Sequence, residues 1–210
     1  MLLDVAFALP IGPYRNPINF IPDTYCHVEL SVHTTADAFR KQLVNHLEDT
    51  YSRTDIEALI DRLKKVSGKI IVCFHIHWGD KVACRYLSEL IEEPFLRPPE
   101  APVYDVVTLE TTLEQQNALI DFYLLHLGKP YDYVRAVLSL FPITLRSPDP
   151  SRFYCAQLVL HSLKAMGMEF PETNIDHVSP LDVYRLLENK GINKENEDTN
   201  GPERTGESSS

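Results

Sequence analysis

A thiol attacks carbon only as its thiolate. Two things favour that form: the unsatisfied N–H groups of a helix N-terminus and a neighbouring imidazole. The chain has four cysteines, Cys26, Cys73, Cys84 and Cys155, and only Cys155 stands at an expected helix start. It follows a proline-containing stretch and opens the stripe Leu158, Val159, Leu163 and Met166, with Gly167 as a natural stop. An imidazole is offered by TYCHVELSV, residues 24–32, where Tyr25, His27, Glu29 and Ser31 alternate with Cys26, Val28, Leu30 and Val32. That alternation describes a half-buried strand with one polar face, and His27 lies on it. Cys155 and His27 together would form a nucleophile and general base for acyl transfer.

Such a pair needs a third group to orient the imidazole. KIIVCFHIHWGD, residues 69–80, is a second strand, with Ile71, Cys73, His75 and His77 on its more polar face. His75 is the first candidate, with His77 and Glu29 as alternatives. Glu29 shares a face with His27, but strand rise sets the two about 6.7 Å apart along the chain, which is far for a direct bond. Plainer readings stand beside these. Cys155 on an amphipathic stripe suits a buried core thiol, and His27 suits a solvated strand face. Cys73, His75 and His77 with His27 form a conceivable zinc set, but ligands two apart on a flat strand converge poorly and no CxxC accompanies them. The expectation is therefore no metal and no cofactor. Tyr25, Tyr131 and Tyr154 are candidates to line a substrate site, or else core aromatics. Cys26 alternates away from His27 and reads as core.

The elements that must position these groups follow from periodicity. Residues 2–9 read as a first strand. Residues 36–47 read as a helix with Phe39, Leu43 and Leu47 at helical spacing. A second helix opens at Thr54, with Glu57 completing a capping box, and carries Ile56, Leu59, Ile60, Leu63 and Val66. This pair reads as a helical insertion at about 36–66 between two strands of one sheet. Residues 81–87 continue past a turn at Gly79, residues 94–102 form a proline-rich loop, and residues 103–109 form another strand. A helix runs from Thr111 or Thr112 to Gly128, residues 140–152 read as loop, and Ser179-Pro180 cap a last helix to about Leu187. One domain over 1–188 and a disordered acidic tail over 189–210 complete the organisation.

Composition bounds the class. A chain of 210 residues with 44% hydrophobic and 24% charged residues can bury a core. Its formal net charge of −10 argues against a nucleic-acid partner and against broad attachment to anionic lipid. No stretch has the length to span a bilayer, and MLLDVAFALP lacks the basic flank of a secretory signal. The expectation is a cytoplasmic protein with free thiols.

TYCHVELSV resembles the His-bearing strand of the circularly permuted branch of the NlpC superfamily, which includes YiiX-like, poxviral and lecithin–retinol-acyltransferase-like members. FYCAQLVLHSLKAMGM, residues 153–168, resembles its Cys-bearing helix, and LGKPYDY, residues 127–133, resembles the Gly-x-Pro-Tyr-Asp segment before it. Ser179-Pro180 fits the Pro-containing segment after it. The order, His early and Cys late, is the reverse of papain. The resemblance implies an α+β, permuted papain-like fold, with an antiparallel sheet packed against the Cys-bearing helix. It also implies a cysteine hydrolase or acyltransferase, with Cys155 as nucleophile, His27 as base and His75 in the third place. The substrate would be a small acyl amide or ester, a lipid or a peptide. A thiol peptidase acting on protein, or a binding protein that lost turnover on the same fold, are the alternatives. The helical insertion and the missing Gly-Asp opening of the first strand depart from the pattern.

Overall fold

A computed structural model describes residues 1–8, 25–48, 52–77, 80–88, 104–139, 141, 149–171 and 173–189. The expected loops at 94–102 and 142–148 and the tail from 190 lie outside these residues. The strands are β1 (Leu2–Ala8), β2 (His27–Thr35), β3 (Lys69–His75), β4 (Ala83–Ser88) and β5 (Tyr104–Glu110). Among the described residues the helices are α1 (Ala36–Asn45), α2 (Arg53–Leu63), α3 (Leu113–His126), α4 (Tyr133–Leu138), α5 (Cys155–Ala165) and α6 (Pro180–Asn189), with a 3-10 turn at Ile175–His177. The five strands form one sheet of order β4-β3-β2-β1-β5, with each neighbouring pair antiparallel. The class is α+β. Among the described residues, no helix is long and apolar enough to cross a membrane.

Alternation decides which side of the sheet is covered. Val5 pairs with Leu30 and Val107, and Leu30 pairs with Phe74, so these side chains share a face. Leu3, Val5, Phe7, Leu30, Val32, Val72 and Phe74 are fully buried there. They join one cluster with Phe39 and Leu43 of α1, Leu63 of α2, Tyr123 of α3 and Leu158 of α5. Phe74 is its hinge point, stacked on Tyr123 at 4.5 Å and edge-on to Phe39 at 6.4 Å. The opposite face is polar. His33 Nε2 lies 2.8 Å from Asp4 Oδ2, Thr108 donates to Asp4 Oδ1 at 2.7 Å, and Ser31 donates to the Cys73 sulfur at 3.3 Å.

The helix ends show where the sequence signals hold and where they shift. Thr112 and Gln115 make a reciprocal capping box at α3. The expected box at Thr54–Glu57 does not form, because α2 begins earlier. The N–H groups of Asp55 and Ile56 already bond the Ser52 carbonyl, which places Thr54 inside the helix. Helix α5 closes with Gly167 at φ +92°, its N–H on the Lys164 carbonyl and that of Met168 on the Leu163 carbonyl, a Schellman end. Strand β2 starts at His27 rather than at 24 and runs on to Thr35, which caps α1 by accepting from the Ala38 N–H. The α1–α2 pair does lie between β2 and β3. It is fastened to α3 by Gln42 donating to Asn117 and by His46 against Asp121, both at 2.9 Å.

Gly128 ends α3 at φ +85°, and a Cβ there would stand 1.8 Å from Ser52 Oγ at the start of α2. Replacing it strains the backbone and pushes the helix pair away. Gly128→Ala is expected to cost about 1–3 kcal/mol, read as a lower denaturant midpoint in an equilibrium unfolding curve. An unchanged midpoint would contradict this account of the junction.

Candidate functional site

Helix α5 begins at Cys155 itself. Tyr154 is its N-cap, extended at φ −116° and ψ 166°, and makes no side-chain capping bond. No acidic residue occupies the first turn. The N–H groups of that turn are therefore not taken by a capping side chain, and the Ala156 N–H donates to the Cys155 sulfur. The helix packs on β2, which supplies a second backbone donor, the Val28 N–H. The register explains why that group is available. The last β2–β3 pair is Leu30↔Phe74, and Val28 lies beyond it. A sulfur from the helix tip takes the bond that a third strand would otherwise make.

His27, one residue before Val28, is near enough to the same sulfur for each group to shift the other's proton affinity. Burial by itself would raise the pKa of Cys155. His27, with the two backbone N–H groups, outweighs it and holds the thiol below its ordinary range. His27 shows the mirror effect. Burial would lower its pKa, but Cys155 and Glu29 together push it up to about 9. Both shifts favour the charged forms, thiolate and imidazolium. Among the described residues neither His27 Nε2 nor Glu29 Oε2 has a hydrogen-bond partner, and they face each other at 3.7 Å.

The structure thus brings Glu29 to His27 despite their spacing along the strand. Rise separates the backbones, but two long side chains on one face lean together across it. Burial acts to raise the pKa of Glu29; His27 and then Arg85, 3.6 Å from the other carboxylate oxygen, outweigh it and keep it low. His75 does not reach His27 directly. It packs against His77 at 4.6 Å, and His77 in turn stacks on His27 at 4.6 Å with 26° between the rings. Continuing the Leu30↔Phe74 register by three residues sets His27 opposite His77, which accounts for this order. Burial, then the His27 and His75 charges, lower His77 to about 4, so it is neutral when His27 is charged. His75 is also lowered, by burial first and then by Arg85.

The three candidate tyrosines separate by what their hydroxyls touch. Tyr25 hydrogen-bonds Asp105 at 2.5 Å and packs on Phe7 and Tyr184. Tyr154 accepts from the Val178 N–H at 3.0 Å and is fully buried. Tyr131 is buried, and burial and then the Cys155 charge raise its pKa. Cys26 is half-buried, with its thiol 3.4 Å from the Ala8 carbonyl, and is less enclosed than a core residue. Arg85 and the Val28 N–H are parts of the site that no sequence pattern announced, since both depend on strand register.

For a metal, His27, Glu29 and His77 place their ligand atoms within 4.8 Å of one another. A tetrahedral zinc site needs edges of about 3.4 Å and lone pairs that converge. The near-parallel rings of His27 and His77 do not converge. Cys73 and His75, in the zinc set considered from sequence, are not part of this group.

The chain thus presents a thiol at a helix tip, an imidazole on a strand and a buried carboxylate behind it, on an α+β frame. Comparison with protein-family models, curated proteins and solved structures finds no match.

Glu29→Gln removes the negative charge behind His27. The His27 pKa is expected to fall below about 9, read from its imidazole resonances in an NMR titration. A folded value above the ordinary 6.5 means that this stabilisation is full below about 6.5 and is lost as pH rises through 9. An unmoved titration in the variant would remove Glu29 from the site.

Proposed function

We propose that this chain is a cysteine hydrolase or acyltransferase of circularly permuted papain-like fold, acting on an amide or ester. The observation that carries the reading is the pairing of the helix-tip Cys155 with the His27 imidazole, each of which favours the charged form of the other. The thiolate attacks the acyl carbon, and the carbonyl π pair moves onto oxygen. The N–H groups of the first turn of α5 lie beside that oxygen. The carbon–leaving-group bond breaks as His27 gives its proton to the departing amine or alcohol, leaving a thioester on Cys155. Water, or an acceptor hydroxyl, then attacks the thioester. His27 takes the proton of the attacking group, and the sulfur departs as thiolate. Glu29 sits behind His27 and holds it charged and oriented. This gives Glu29 the place that the family resemblance gives to His75.

Two observations bear on the substrate. Tyr133 and Val134 of α4 are exposed, and the Tyr133 ring lies 5.2 Å from that of Tyr131. Because Tyr131 is bridged to Phe153, two residues before Cys155, an apolar surface lies close to the nucleophile, and this favours an acyl chain over a polar peptide. The second observation favours another reading. Cys155 is only 4% exposed, which suits a binding protein that kept the residues and lost turnover.

Labelling separates the two. A thiol-directed activity probe at neutral pH is expected to modify Cys155 before Cys26, Cys73 and Cys84, located by peptide mapping. His27→Ala is expected to abolish that preference. Uniform labelling of the four thiols, or none at Cys155, would leave the binding-protein reading.

A further inference from the structure

We propose that His77 is a positioning residue: its ring, laid against the His27 imidazole, sets the tilt at which that imidazole meets the reacting atoms. This rests on the reading of His27 as the general base.

Pairing with Ala8 of β1 fixes the backbone of His27, but not the turn of its ring. Nε2 of that ring has no hydrogen-bond partner among the described residues. Glu29 Oε2 stands 3.7 Å away, beyond hydrogen-bond length. Attraction between charges at that range depends on distance far more than on angle. Glu29 therefore favours the charged ring and leaves its tilt open. The His77 ring closes that freedom. Its centroid lies 4.6 Å from that of His27, with 26° between the planes, a separation at which flat rings pack face on face. His77 is neutral beside a charged His27, so the face of its ring attracts the cation.

His77 is itself held. His75, the last residue of β3 and paired with Ala83 of β4, packs on it at 4.6 Å. The His77 carbonyl accepts from the Asp80 N–H at 3.0 Å, and the Asp80 carbonyl accepts from the Tyr131 N–H at 3.1 Å. Tyr131 is bridged to Phe153, two residues before Cys155. One run of backbone bonds thus joins the stacked ring to the entry of the helix that carries the thiol.

A ring face suits this task better than a hydrogen bond would. His27 gives a proton in the first half of the reaction and takes one in the second. A bond from Nε2 to a carboxylate is strongest while the ring is charged. A face contact involves no proton, so it holds the same tilt in both states.

Two variants separate ring face from ring nitrogen. His77→Phe keeps a flat ring and removes both nitrogens. His77→Gln keeps hydrogen-bonding groups and removes the ring. The readouts are the NMR shifts of the His27 ring protons, mapped iodoacetamide alkylation of Cys155, and steady hydrolysis of p-nitrophenyl acetate. Nitrophenolate leaves without a proton, so His27 serves there chiefly to activate the water that attacks the thioester. The His27 ring protons are expected to lie upfield in the parent and in His77→Phe, and to return towards ordinary shifts in His77→Gln. Hydrolysis is expected to stay within about threefold of the parent in His77→Phe and to fall roughly tenfold in His77→Gln. If His77→Gln keeps the parent's shifts or turnover, or if His77→Phe falls as far as His77→Gln, the proposal is overturned. If the unmodified protein shows no preferred alkylation of Cys155, or no turnover, the functional reading fails first and takes this role with it, even with the His27 protons upfield. The two failures are thereby told apart.

Discussion

The site depends on one strand ending early. Where β3 stops pairing with β2, the Val28 backbone loses its neighbour, and the tip of α5 fills the place with a sulfur. A buried N–H left without an acceptor costs a good part of the free energy of a hydrogen bond. A thiolate answers that need and is stabilised by it. The same contact fixes the height of α5 on the sheet, and so sets Cys155 beside the residue preceding Val28. That residue is His27. Moving the helix by one turn would break the backbone bond and the thiol–imidazole contact together.

The segment from Gly128 to Asp132 serves this arrangement from the other side. Gly128 donates to the Val82 carbonyl and Val82 to the Lys129 carbonyl, both at 2.8 Å, which ties the end of α3 to the start of β4. Pro130 and Asp132 grip Phe153, and Phe153 leads directly into the cap of α5. Behind them the buried Arg135 lies 3.6 Å from both Asp132 and Asp176, and Asp176 also accepts from Gln157 of α5 at 2.9 Å. One short motif therefore does three jobs: it ends a helix, seats a tyrosine and anchors the helix that carries the thiol.

Much of this frame is legible in the residues. Alternation marked β1, β2 and β3, and 3.6-residue stripes marked α1, α3 and α5, because each element buries one face and exposes the other. Helix α4 escaped notice, since six residues make too short a stripe to show a period; only Asp132 signalled it. For the site, Cys155 at a helix start and His27 on a polar strand face followed from local pattern alone. The group behind His27 did not. Choosing among His75, His77 and Glu29 needs the register of β2 on β3 and the reach of side chains, and neither is written in a single strand. Strand rise made Glu29 look distant, because rise measures backbones while the approach to 3.7 Å is made by the ends of the side chains.

The two stacked rings have a consequence for how molecules arrive. With His27 charged, the ring of His77 beside it is held neutral, so the pair carries a single positive charge. Among the described residues Arg85 and Glu29 also act on these rings, and Asp80 on the neighbouring His75, so charges of both signs stand close together. On a chain whose net charge is −10, this is an electrically quiet spot. Long-range fields would neither draw an ion to it nor repel one on its account. Added salt should matter little to the encounter, and discrimination there falls to shape and close contact.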